Sequence, residues 1–191
     1  IRMFSFYFSE DEKYEDYKAN REVMPETLRS QIAAIVEGLQ AFDIPIYTKE
    51  GYEADDVIGT ISRIASEEGN HTLILTGDQD SFQLIDKDGL VKVLIPSKGE
   101  LVEYNWDKVY EKLGVYPNQV VDYKALRGDT SDNIPGIRGI GPKTAQDLLG
   151  KYTNLENILA DCENIDKKSV KEKICAEKDK AILSKKLATI I

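Results

Sequence analysis

The sequence predicts an α/β layered core followed by an all-helical half, and three observations carry that reading. Apolar runs of strand length alternate with amphipathic helical segments up to about residue 104. Beyond it the strand signals stop and only short helical segments follow. Among those segments lies DTSDNIPGIRGIGPKTA, a Gly/Pro-rich connector too patterned for a plain linker. At 191 residues and 41% hydrophobic content the chain suits one domain or a core with a smaller unit. We divide it into 1–103 and 104–191.

In chain order, MPETLRSQIAAIVEGLQAF starts a helix at Pro25, with Leu28, Ile32, Ile35, Val36 and Leu39 at helical spacing. IPIYT (44–48) reads as a short strand. YEADDVIGTISRIASEEGN reads as a second helix, with Val57, Ile58, Ile61 and Ile64 on one face and Gly69-Asn70 as its stop. TLILT (72–76) is a strand, SFQLI a short helix and VKVLIP (91–96) another strand, which turns at Lys98-Gly99 into LVEY (101–104). A partly parallel sheet flanked by helices follows from that alternation. WDKVYEKLG, NQVVDYKALRG, KTAQDLLGKY and NLENILAD are helical, as is the Lys-rich C-terminal stretch.

Several function classes drop out. No apolar run approaches the roughly 20 residues of a membrane span, and IRMFSFYFSEDEKYED lacks the basic region and cleavage site of a signal peptide. Cys162 and Cys175 are expected to be reduced thiols, since no set of four ligands accompanies them. The only histidine, His71, precedes a strand as a surface or edge residue, and no nucleophile elbow or Cys–His arrangement is present. The net charge of −9 alone speaks against nucleic acid.

The location of the acids removes that objection. Glu53, Asp55 and Asp56 open the second helix, Asp78 and Asp80 follow a strand in TGDQD, and Asp129 and Asp132 lie in GDTSDN. Each cluster has an ordinary structural use: favouring a helix dipole, capping a helix, forming a turn. Together they point to the ligand-binding crevice at the carboxyl ends of an α/β sheet. Carboxylate oxygens hold hard cations such as Mg²⁺, and a two-metal site aligns an attacking water with the leaving oxygen of a phosphate ester. Setting those seven aside from the 34 acids leaves 27 against 25 basic residues, so the remaining surface need not repel DNA.

PGIRGIGPKTAQDLL places Gly136, Gly139 and Gly141 around Ile137 and Ile140, directly before a helix start with Lys143 and Thr144. A tight helix–helix turn is one reading. The other is a phosphate seat of freed N–H groups and helix dipole, gripping a nucleic-acid backbone without reading bases, with the isoleucines as anchors.

YEADD, TGDQD, DYKALRGDTSDNIPGIRGIGPKTA and YKANR (17–21) together resemble the 5′-nuclease family, in particular the 5′→3′ exonuclease (flap endonuclease) domain found at the N-terminus of bacterial DNA polymerase I. The resemblance runs from about Tyr14 onward. It implies a PIN-like core with a helix–three-turn–helix region, and a Mg²⁺-dependent phosphodiesterase (two ions, Mn²⁺ substituting) cutting 5′ flaps and removing 5′ nucleotides or RNA primers in replication and repair. The seven acids match the family's metal-site acids. Gly136 to Thr144 match its duplex-binding element, where relatives hold K⁺. Tyr17, Lys18 and Arg21 match the region where basic side chains meet the scissile phosphate. A following polymerase domain and a bacterial cytoplasmic, nucleoid-associated location are also implied.

The N-terminus departs from the family pattern. Members begin with a strand bearing a metal-site Asp, then a strand ending in Phe-Asp, then a basic stretch before YKANR. Here IRMFSFYFSEDEKYED stands instead. The expectation is an N-terminally incomplete core that lacks the first strand, two metal ligands and one phosphate contact. IRMFSFYF is read as a strand filling a sheet with an exposed edge. Two alternatives follow: a DNA-backbone-binding module with a weak or inactive metal site, and a PIN-like ribonuclease.

Overall fold

The computed structural model describes residues 17–19 and 24–191. Arg21 and IRMFSFYF therefore lie outside the described residues.

Among the described residues the sheet has three strands in the order β1-β2-β3, with β1 Thr72–Leu75, β2 Val91–Ser97 and β3 Glu100–Tyr104. β1 pairs parallel with β2 (Thr72 opposite Val91), and β2 pairs antiparallel with β3 (Ser97 opposite Glu100). The expected turn forms at Lys98-Gly99, where both residues take positive φ, 50° and 87°, matching the right-handed twist of a tight hairpin. Val91 and Val93 alternate into a core with Ile74, Phe82 and Val109. The ring of Phe82 lies 4.7 Å from that of Tyr104.

The helices of the first half depart from expectation at one point. The segment from Pro25 splits into α1 (Glu26–Arg29) and α2 (Ile32–Ala41), and none of the residues in either is buried. IPIYT does not pair. Ile44 N–H instead closes the preceding helix on the Leu39 carbonyl, and among the described residues no strand lies beside 44–48 to complete a ladder. α3 (Ala54–Glu67) forms as expected, and SFQLI becomes a 3₁₀ turn, Gln79–Leu84.

The last strand ends at Tyr104, and every later described element is helical. α4 (Trp106–Leu113) is capped by Asn105, whose side chain accepts from Lys108 N–H at 2.9 Å, and is stopped by Gly114 at φ 68°. α5 (Val120–Arg127) is buried along nearly its whole length. α6 (Pro142–Tyr152), α7 (Leu155–Ala160) and α9 (Lys178–Ala188) pack against it, and α8 (Lys168–Ala176) packs on the Cys162–Asn164 turn. They share a second core that includes Leu126, Ile137, Leu149, Ile158 and Ile174. Leu113 packs against both cores and joins the halves.

The cysteines correct the expectation of reduced thiols: Cys162 and Cys175 are joined as a disulfide. α8 folds back over the 3₁₀ turn Cys162–Asn164 and brings their Cα atoms to 5.6 Å, within bonding reach. Four-ligand spacing in the sequence does not reveal such a pair.

Candidate metal centre and nucleic-acid interface

Each acidic cluster is placed by an ordinary backbone requirement. At the start of α3, Asp56 Oδ2 accepts the Glu53 N–H at 2.9 Å, closing a capping box. After β1, Asp78 Oδ1 caps the 3₁₀ turn by accepting Asp80 N–H at 2.9 Å. After α5, Asp129 Oδ1 accepts the Ser131 N–H at 2.9 Å in a tight turn. These structural uses leave room for a functional one, because the local bond leaves each carboxylate with further lone pairs.

Asp78, Asp80, Asp129 and Asp132 line one crevice of about 570 Å³. Glu53, Asp55 and Asp56 stand beside it rather than in its lining. They share its field, since Asp78 is among the charges acting on Asp55. Burial, with the neighbouring carboxylates of Asp78 and Glu53, pushes the Asp55 carboxyl up to about 6. Burial also pushes Asp80 up to about 6, with Asp78 and Asp132 adding to the rise and Lys124 opposing it.

Lys124 is the crevice residue that sequence reasoning missed. It is 8% exposed, and its ammonium pairs with Asp80 and, at 2.6 Å, with Asp129 Oδ2. Burial works against its charge, yet Asp80 and Asp129 hold it above the usual lysine value. Asp129 is raised by burial but more strongly lowered by bonds from Lys124 and Ser131. The available signal was a lysine between Tyr123 and Leu126, on the apolar side of a helix that ends at an acidic loop. Lys18 plays the same part for the first cluster. Its ammonium pairs with Glu53, and its backbone N–H donates to the Asp132 carbonyl at 3.1 Å.

The donors fit hard divalent cations. Four carboxylates line the crevice against Lys124 and Arg127, all offering oxygen, and burial raises Asp80 among them and Asp55 beside them. Lysines occupy part of this space. No three of the described carboxylates bring ligand atoms within 4.8 Å of one another; Cys162, Glu163 and Cys175 do, and there the sulfurs are bonded.

The glycine connector backs directly onto the third cluster. Asp129 and Ile134 pair as an isolated bridge, and Gly136 lies so close to Gly128 that a Cβ on Gly136 would meet the Gly128 nitrogen at 2.1 Å. Ile137 and Ile140 are buried in the helical core. Gly141 caps α6 with Pro142 at its first position, leaving Lys143 exposed and paired to Asp147 at 2.9 Å, and Thr144 half-buried. Gly136 N–H donates to Ser184 Oγ at 3.0 Å, Arg138 N–H to Glu177 at 3.1 Å, and Lys173 Nζ to the Gly139 carbonyl at 3.1 Å.

Residues 8–114 match the 5′-3′ exonuclease N-terminal resolvase-like domain, and residues 115–191 match the 5′-3′ exonuclease C-terminal SAM fold. The chain is 51% identical over 181 residues to DNA polymerase I of Caldicellulosiruptor bescii, covering 94% of this chain and 21% of that protein. Against DNA polymerase I of Bacillus subtilis the identity is 39% over 178 residues, covering 93% and 20%. The chain thus spans about a fifth of the length of these relatives. Among solved structures, the T5 D15 protein co-crystallized with metal ions superposes with a TM-score of 0.82 at 23% identity, over 97% of this chain and 73% of that one. The catalytic core of Rad2 in complex with DNA substrate gives 0.60 at 18%, over 97% and 62%. Both likenesses concern the fold.

Proposed function

The chain belongs to the 5′-3′ exonuclease family, and from that premise we propose that it is a structure-selective 5′→3′ exonuclease and flap endonuclease unit, hydrolysing phosphodiesters in duplex DNA with 5′ flaps or nicks and in RNA–DNA primers. The observation that carries this reading is the convergence of acids from both halves of the chain on one crevice, back to back with a glycine hairpin. Glu53, Asp55, Asp56, Asp78, Asp80, Asp129 and Asp132 are the residues that would hold two Mg²⁺ ions, with Mn²⁺ able to replace them. Bound there, such ions supply a water nucleophile at neutral pH and stabilise charge on the leaving oxygen.

The chain's own residues do the rest. Lys18, beside Glu53, presents an ammonium to the scissile phosphate, and we assign Arg21 the same task. Gly136, Ile137, Gly139 and Gly141 shape the hairpin; the N–H groups of Gly136, Ile137, Arg138 and Ile140 bond within the protein, so the start of α6, with Lys143 and Thr144, takes the duplex backbone independently of sequence. A K⁺ ion at its carbonyls belongs to the same proposal. In the full-length protein the partner unit is a polymerase domain, as the relatives' name suggests, and the work is primer removal and repair.

A second reading has two observations in its favour. Lys18 and Lys124 already neutralise part of the acidic set, and no three described carboxylates stand within 4.8 Å. A DNA clamp with a weak metal site would look the same. Incubation with 5′-labelled flap DNA in Mg²⁺ or Mn²⁺, beside an Asp78→Asn/Asp80→Asn variant, separates the two. Metal-dependent cleavage lost in the variant supports the nuclease. Equal binding without cleavage in both proteins supports the clamp, and neither binding nor cleavage removes both.

A further inference from the structure

Asp56 is bonded differently from the other acids. Both of its carboxylate oxygens are engaged by backbone N–H groups, one local and one 135 residues away: Oδ2 by Glu53 and Oδ1 by Ile191, each at 2.9 Å. The second bond ends a short run of contacts made by the last four residues. Gln83 spans the same segment with its side-chain amide. Its Oε1 accepts Ile190 N–H at 2.9 Å, and its Nε2 donates to the Ala188 carbonyl at 3.0 Å. The same Nε2 also donates to the backbone carbonyl of Asp80 at 3.1 Å. Ile190 packs onto α3 where Gly59 leaves room; a Cβ there would lie 2.8 Å from its methyl group.

Residues 188–191 therefore reach both the α3 acids, through Asp56, and the Asp78–Asp80 turn, through Gln83. The preceding helix extends that line to the hairpin. Glu177, which precedes α9, accepts Arg138 N–H, and Ser184 within α9 accepts Gly136 N–H. An 11-residue helix spans roughly 16 Å, so one rod touches the proposed DNA grip at one end and two acidic clusters at the other.

We propose that Ala188–Ile191 is a strap that positions the metal-binding acids, with Gln83 as its positioning residue and Asp56 as the acid it holds directly. The inference rests on the nuclease reading for the identity of the metal. Its chemistry is that of hydrogen bonds behind a ligand set: they fix where carboxylates point, and losing one costs about 10- to 100-fold in metal affinity.

The test uses the full chain and Mn²⁺ alone, with affinity read by titration calorimetry and flap-DNA affinity measured separately in EDTA. Gln83→Met keeps the side-chain length and removes every polar contact of the amide. It should weaken Mn²⁺ binding about tenfold while DNA affinity in EDTA stays within about twofold. Asp56→Asn keeps an acceptor for one N–H and should produce a loss of similar size, and the double variant should lose little more, because both act through one strap. An unchanged Mn²⁺ affinity in Gln83→Met overturns the inference. So does full additivity of the two losses, which shows that Asp56 and Gln83 do not act through one strap. If the unsubstituted chain itself binds no Mn²⁺ the nuclease reading fails first, and the strap has nothing to position. Thermal unfolding of each variant identifies misfolding, and Gln83→Leu, which also removes both polar atoms of the amide, takes the place of Gln83→Met if that variant unfolds.

Discussion

Replacing Lys124 with methionine separates the electrostatic part of this site from its packing. The ammonium lies between Asp80 and Asp129, whose side chains are 17% and 9% exposed. Methionine preserves the stem and removes the charge, leaving two buried carboxylates without their partner. Breaking a buried pair by removing one member costs about 3–5 kcal/mol. The variant has a partial escape, since Asp80 already titrates at about 6 and can take up a proton. The expected loss at pH 7 without divalent ions is therefore near the lower figure, about 3 kcal/mol. For a chain of this size that lowers Tm by about 6–12 °C. Saturating Mg²⁺ supplies the missing positive charge, so the difference between variant and parent should shrink by at least about half. The assay is thermal unfolding of both proteins in EDTA and in Mg²⁺. Equal losses in the two conditions would show that Lys124 matters only as packing, and no loss in EDTA would show that the ion pairs contribute nothing.

Three further perturbations test other parts of the site and fold. Asp55 is raised to about 6 in the folded chain, so between its unfolded value of 3.8 and 6 the native state binds more protons, and its ionisation destabilises the fold as pH rises. Asp55→Asn in EDTA should accordingly gain at most about 3 kcal/mol over the parent at pH 7 and nothing at pH 4, in urea titrations at the two pH values. Gly136→Ala places a Cβ 2.1 Å from the Gly128 nitrogen at φ 59° and should abolish folding, whereas Gly150→Ala, exposed in α6 with nothing within 4 Å, should gain about 0.5–1 kcal/mol. Reducing the bridge between Cys162 and Cys175, 13 residues apart, should cost up to about 3 kcal/mol, read as a lower Tm with reductant that vanishes in a Cys162→Ser/Cys175→Ser variant.

What was legible in the sequence follows the range of the interactions involved. TLILT, VKVLIP and LVEY read correctly because each carries its own apolar pattern and a turn signal beside it. IPIYT has the same composition but pairs with nothing among the described residues, and strand formation depends on a neighbour as much as on side chains. The break at Ser30-Gln31 has no Gly or Pro to announce it. The crevice acids were visible because carboxylates recur at helix starts and strand ends. Lys124 was not, because a lysine within VVDYKAL reads as a solvated charge until the Asp80 turn and the acidic loop close over it. Gln83 and the cysteine pair were beyond reach for a similar reason. Their partners lie 105 to 107 residues away for Gln83, and across a fold-back of α8 for the thiols.

The double duty of the carboxylates determines which substitutions are informative. Asp78 and Asp129 each spend one oxygen on a backbone N–H that sets the local turn. Alanine at either position would remove a cap worth about 1 kcal/mol together with the charge, so loss of activity would not distinguish a damaged turn from a missing ligand. Asparagine retains an acceptor for the same N–H and removes only the charge. If Asp78→Asn and Asp129→Asn keep the Tm of the parent in EDTA but lose its stabilisation by Mg²⁺, the charges belong to the metal and the bonds to the fold. If both instead melt earlier without metal, the charges support the fold directly, through Lys124 in the case of Asp129. The cluster would then act as an internal salt bridge before it acts as a site.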